Sequence, residues 1–123
     1  MESIAIDKKD PKEYRFSVGV YVYQDETGYI AYCPSIDLTT TGSTFNEAVA
    51  NFYEAFQLHM ECCIEYGTLW DDLQAHGWRI TKSDLIPPKF SVLMKKEEMK
   101  RLMNSDKGYE KLIVPTKYRW VAV

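Results

Sequence analysis

From Tyr14 to Tyr23 the chain alternates. Tyr14, Phe16, Val18, Val20 and Val22 fall on one side, and Arg15, Ser17, Gly19, Tyr21 and Tyr23 on the other. A period of two is that of a strand with distinct faces. The polar segment Gln24–Gly28 ends in glycine and reads as a hairpin loop. Tyr29–Cys33 predicts a second strand, stopped by Pro34, which lacks the N–H that a ladder needs. Ile36–Thr41 is polar and β-branched and predicts a third, half-exposed strand before a turn at Gly42.

At Phe45 the period changes. Phe45, Ala48, Val49, Phe52, Ala55, Phe56, His59 and Cys63 recur at helical spacing, with Asn46, Glu47, Asn51, Glu54, Gln57 and Glu61 on the opposite side. Such a stripe belongs against a sheet. Thr44 precedes Glu47 by three residues, the sequence form of a capping box, and Gly67 is placed to end the helix in a left-handed turn. Thr68 and Asp71 open a short second helix with Leu69, Trp70 and Leu73 on its apolar side and Gly77 at its end. Beyond it the pattern predicts a brief strand at Trp78–Thr81, a loop at Lys82–Pro88, a strand at Lys89–Met94 and a charged helix at Lys95–Asn104. The SDKG turn at Ser105–Gly108 then leads into a β-rich run from Glu110 to Val123, where Pro115 implies an edge position or a bulge. Met1–Glu13 is charged and reads as a lead-in.

These elements define an α+β fold with two layers. An antiparallel β-β-β-α meander packs on one long helix, followed by a short second helix and a β-rich C-terminal tail. A length of 123 residues suits one domain, with a core at 14–78 and an extension at 79–123. With 46% hydrophobic and 27% charged residues the chain has a globular composition. The net charge of −3 lacks the basic footprint of a general nucleic-acid binder and favours a basic partner. Cys33, Cys62 and Cys63 are odd in number and partly adjacent, unlike a secreted disulfide framework. With no run of signal-peptide or membrane-span character, the expectation is a reduced, cytoplasmic protein with no membrane association.

Little in the chain points to catalysis. His59, Cys62 and Cys63 share a helix face and form a metal half-site by spacing, but they also continue the apolar stripe. Core packing is the preferred reading, with no metal and no cofactor expected. Asp71 and Asp72 are neighbours that point apart on a helix and read as a solvated first turn. There is no glycine-rich nucleophile turn and no phosphate-cradling loop, so an enzyme is not expected. Lys95, Lys96, Lys100 and Arg101 form a small basic cluster behind KFSVLM, which faintly resembles the start of a ribbon-helix-helix DNA reader. Glu97 and Glu98 dilute it. Tyr21 and Tyr23 share the sheet face away from the long helix. With Tyr118 and Trp120 of the tail they are the candidate protein-contact residues, either as an open tyrosine surface or as a face that the tail covers.

The runs GYIAYCPSI at Gly28–Ile36, TGSTFNEAVANFYEAF at Thr41–Phe56 and WDDLQAHGW at Trp70–Trp78 resemble a HicB-type antitoxin domain over roughly residues 14–78. The family often carries a Gly-Cys pair where Asp37 and Leu38 stand here, and its C-terminal DNA-binding module has no counterpart. The resemblance implies a three-stranded meander on a helix and neutralisation of a small, basic, HicA-type mRNA-cleaving toxin in a type II toxin–antitoxin system. The alternatives are a stand-alone HicB-fold protein that oligomerises or binds a small ligand, and a DNA-binding autoregulator. Homodimerisation is expected for each, because a short meander leaves edges and an open face.

Overall fold

A computed structural model describes residues 12–80 and 84–120. The expected lead-in at 1–11, the end of the expected strand at Thr81, the start of the loop at 82–83 and the last residues at 121–123 lie outside the described residues. Strands β1 (Lys12–Gln24), β2 (Tyr29–Cys33) and β3 (Leu38–Gly42) form the meander. Helix α1 (Phe45–Glu65) follows, then α2 (Leu69–Ala75), the two-residue strands β4 (Arg79–Ile80) and β5 (Leu85–Ile86), the single turn α3 (Phe90–Leu93), α4 (Glu97–Met103) and strand β6 (Glu110–Trp120). The fold is α+β, an antiparallel sheet with a long helix after a β-meander.

The main sheet has four strands in the order β3-β2-β1-β6. β6 runs antiparallel along nearly all of β1, from Lys12↔Trp120 to Val22↔Glu110. This partner extends β1 two residues before Tyr14. The C-terminal segment is therefore part of the same sheet, and Pro115 sits on its edge strand, where a missing N–H is tolerated.

The face carrying Tyr14, Phe16, Val18, Val20 and Val22 packs on Ala48, Phe52, Phe56 and Met60 of α1. Burial of each large side chain there contributes about 1.5–3 kcal/mol. Trp78 closes one end of this core. Its ring meets Phe16 edge-on at 5.2 Å and its indole N–H donates to the Ser35 carbonyl at 2.7 Å. The N–H partner makes it possible to bury so polar a ring edge.

Local signals explain the joints. Asp25 Oδ1 accepts from the N–H groups of Thr27 and Gly28, both at 2.9 Å, which closes the β1–β2 turn. At the start of α1 the Thr44 hydroxyl accepts from the Glu47 N–H at 3.1 Å. The return arm goes one residue further back than a standard box: Glu47 Oε1 accepts from the N–H and hydroxyl of Ser43. Gly42 is required by proximity, because a Cβ there would stand 2.4 Å from the Ala48 nitrogen. Gly67 and Gly77 end α1 and α2 with φ of 70° and 94°.

Three expectations change. The third strand begins at Leu38, because Pro34–Asp37 forms the turn and Ile36 is buried within it. The loop before Pro87 contains β5, paired with β4 through Arg79↔Ile86. Lys89–Met94 is not a strand: residues 90–93 form one helical turn in which Leu93 is buried while Phe90 and Val92 are exposed. Lys89, extended after the two prolines, starts that turn, and among the described residues no strand pairs with this segment to reward β-propensity.

Candidate functional site

The tyrosine face is covered. α4 lies across the back of the sheet, where Met99 and Leu102 pack with Tyr21 and Tyr32, flanked by Tyr23, Ile30, Met94 and Met103. Tyr21 is only 3% exposed. Its ring also meets Tyr109 at 5.5 Å, and Lys111 Nζ stands 5.4 Å from the ring centre. Tyr23 is half-buried and donates its hydroxyl to Glu98 Oε2 at 2.5 Å. Burial and that carboxylate hold the Tyr23 hydroxyl well above the usual tyrosine range, and burial raises Tyr32 to about 12.

The expected contact residues thus separate. Tyr21 and Tyr23 share a face but serve as floor for α4, so Tyr21 is not an open contact residue. Tyr118 pairs with Tyr14 and packs on the α1 side, so it does not fill the tyrosine face. Trp120 pairs with Lys12 at the end of β6, and its side chain lies outside the described set. The basic cluster on α4 is paired with acids. Lys100 Nζ is 3.6 Å from Glu97, Arg101 is 2.6 Å from Glu98 and Lys96 is 3.9 Å from Asp37. With residues 90–93 helical and three of the four cations, Lys96, Lys100 and Arg101, beside acids, the ribbon-helix-helix comparison loses its strand and most of its charge.

Two other features lie on and beside α1. Glu47, Asn51, Glu54, Leu58, Glu61 and Glu65 repeat at intervals of three and four along α1 and are all exposed. Residues so spaced share one helix face. The result is an acidic stripe with one leucine, 63% exposed, in its middle. Beside it, Tyr53, Gln57 and Glu61 face Val114–Tyr118 of β6 across a groove of about 370 Å³. The polar side of α1 is evident in the sequence, whereas the exposure of Leu58 within it appears only in the structure.

The second feature is at the α1–α2 corner. His59 Nε2 is 3.1 Å from Asp72 Oδ2 and 3.9 Å from Cys63 Sγ. His76 Nδ1 lies 2.8 Å from the Asp72 carbonyl oxygen and 4.0 Å from Asp72 Oδ2. Asp72 is therefore turned inward between two histidines rather than solvated, while Asp71 is exposed. Cys62 points outward, Cys63 is half-buried and Cys33 lies in the core between the sheet and α1, so the two adjacent helix cysteines have different surroundings. Burial, the largest influence on the Cys63 thiol, pushes its pKa up, as does the Asp72 carboxylate, against a lowering hydrogen bond from Thr68.

Comparison with family models, with curated proteins and with solved structures returned no match. Among the described residues, no helix is long and apolar enough to cross a membrane.

Proposed function

We propose that this chain is a HicB-like, non-enzymatic antitoxin of a type II toxin–antitoxin system. It would act in the cytoplasm by binding and masking a small basic HicA-type mRNA-cleaving toxin. The residues that support a HicB resemblance, Gly28–Ile36 and Thr41–Phe56, form β2, the following turn, the end of β3 and most of α1. The observation that carries the binding role is the acidic stripe of α1. Four exposed glutamates around Leu58 complement a cationic surface in charge and offer an apolar contact at its centre. The deciding experiment is co-purification of the tagged chain with the product of the adjacent gene. A stoichiometric complex with a small basic protein, whose RNA cleavage is suppressed, is the expected result. A neighbour that is not basic, or one that does not bind, sinks the reading.

A second reading is a stand-alone HicB-fold protein that self-associates. It is favoured by the outer edge of β6, where Ile113 is 59% exposed on a strand with one free side. Homodimerisation belongs to either reading, and it would use this edge, because α4 covers Tyr21 and Tyr32 on the back of the sheet while Ile113 beside the edge stays exposed. Light scattering that gives a monomer at working concentration removes it. The autoregulator reading finds no comparable observation, given the acid-paired cations of α4.

A further inference from the structure

We propose that the α1–α2 corner is a binding site for a zinc-class divalent metal ion, with His59, Cys63 and Asp72 as ligands. Their donor atoms, from two helices joined by a tight turn, all lie within 4.8 Å of one another. Bonds of about 2.0 Å to nitrogen or oxygen and about 2.3 Å to sulfur imply tetrahedral edges of about 3.3 Å between N and O and about 3.5 Å between N and S. The observed 3.1 Å and 3.9 Å need adjustments of only a few tenths of an ångström, and the Cys63–Asp72 pair, within 4.8 Å, needs a closure of up to about 1.3 Å that a side-chain rotation can supply. Imidazole, thiolate and carboxylate together are the donor types that zinc accepts.

The supports around the three donors suit the role. The Thr68 N–H donates to the Cys63 carbonyl at 2.9 Å. The Asp72 N–H in turn donates to the Thr68 carbonyl at 2.9 Å, so one threonine holds both a ligand of α1 and a ligand of α2. Such outer partners fix ligand orientation and normally accompany the ligands themselves. His76 is tied to the Asp72 carbonyl and closes the flank of the site. The corner supplies three protein donors, which leaves the fourth position for water or another external ligand. His59 and Asp72 are 28% and 27% exposed, open enough for an ion to enter.

A His59–Asp72 hydrogen bond that merely pins two helices is the competing account, and Cys63 separates the two. The full-length chain, reduced and stripped with a chelator, is titrated with Co²⁺ as the probe. Expected are the visible bands of tetrahedral cobalt and a thiolate-to-cobalt charge-transfer band, both displaced by Zn²⁺. Cys63→Ser should abolish the charge-transfer band, Cys62→Ser should retain it, and Asp72→Asn should weaken binding by at least about tenfold. A second measurement covers the case in which Cys63→Ser does not fold. In the unaltered chain, Zn²⁺ should slow alkylation of Cys63 and leave that of Cys62 unchanged. A folded chain without the charge-transfer band, a band that survives Cys63→Ser, or alkylation of Cys63 indifferent to Zn²⁺ each overturns the proposal.

Discussion

Asp37 occupies the turn between β2 and β3 with φ of 56°, the only positive φ outside glycine among the described residues. A side chain in this region crowds the backbone, at about 1–2 kcal/mol for most residues and less for aspartate, whose short polar group bonds locally. Lys96 lies 3.9 Å from its carboxylate, but the aspartate is 60% exposed and such a pair adds little. Asp37→Gly relieves the backbone while giving the unfolded chain more freedom, about 0.5–1 kcal/mol in the other direction. The two nearly cancel, so Asp37→Gly should unfold in urea within about 1 kcal/mol of the parent, whereas Asp37→Val should lose about 2 kcal/mol or more. Equal midpoints for the two variants would show that φ is not what matters there. The sequence displays Asp37 but not its dihedral, which arises because the chain must reverse between Pro34 and Leu38. Thr44 and Glu47 were legible because a cap acts over three residues; that Glu47 bonds Ser43 depended on how β3 enters the helix.

The long helix and its sheet face were readable because one period governs each: five alternating residues in β1 are buried, as are Ala48, Phe52 and Phe56 in α1. What lay across the other face was harder to see. Along β1 burial alternates up to Val18 and becomes continuous over Val20–Val22, and β2 ends in the continuous run Ala31–Cys33. In each run the middle residue, Tyr21 or Tyr32, lies beneath α4 while its neighbours pack on the α1 side. The near-uninterrupted apolar runs VYVY and YIAYC carry that signal, since strands covered on both faces lose their polar alternation. Met99 is fully buried in this contact, so Met99→Ala should cost about 2–5 kcal/mol. The same cover makes the element sensitive to alkali. Tyr23 and Tyr32 have folded-state pKa values raised above the ordinary value near 10, so the folded state favours their neutral forms. Their contribution is complete below about pH 10 and is lost as pH rises through the raised values, to about 12 for Tyr32. Stability followed by circular dichroism should therefore fall above pH 10, and Tyr23→Phe should make that fall shallower. An unchanged slope in Tyr23→Phe would remove Tyr23 from the effect.

For the molecule as a whole, the C-terminal segment changes what is left to bind a partner. β6 occupies one side of β1 and α4 occupies the back of the sheet, so the tyrosines that looked available are internal. Among the described residues, the accessible material includes the outer face of α1 and the outer edge of β6. Sequence alone could not rank these surfaces, because the ranking depends on where a C-terminal segment distant in sequence comes to rest. The acidic stripe carries a definite kinetic expectation. Exposed charges steer encounter more than they hold the final complex, and the attraction is screened over about 10 Å at 0.1 M salt. Reversing Glu54 and Glu61 together should slow association with a basic toxin by about tenfold at low salt while changing dissociation little. The difference between the variant and the parent should shrink as salt is raised. Leu58 sits between them and should behave in the opposite way: Leu58→Ala removes an apolar contact, so it should speed dissociation and leave the salt dependence intact. Both variants alter only exposed positions and should unfold with the parent to within about 0.5 kcal/mol. If the charge reversal leaves the association rate unchanged at every salt concentration, the partner meets the chain elsewhere, and the β6 edge becomes the surface to test.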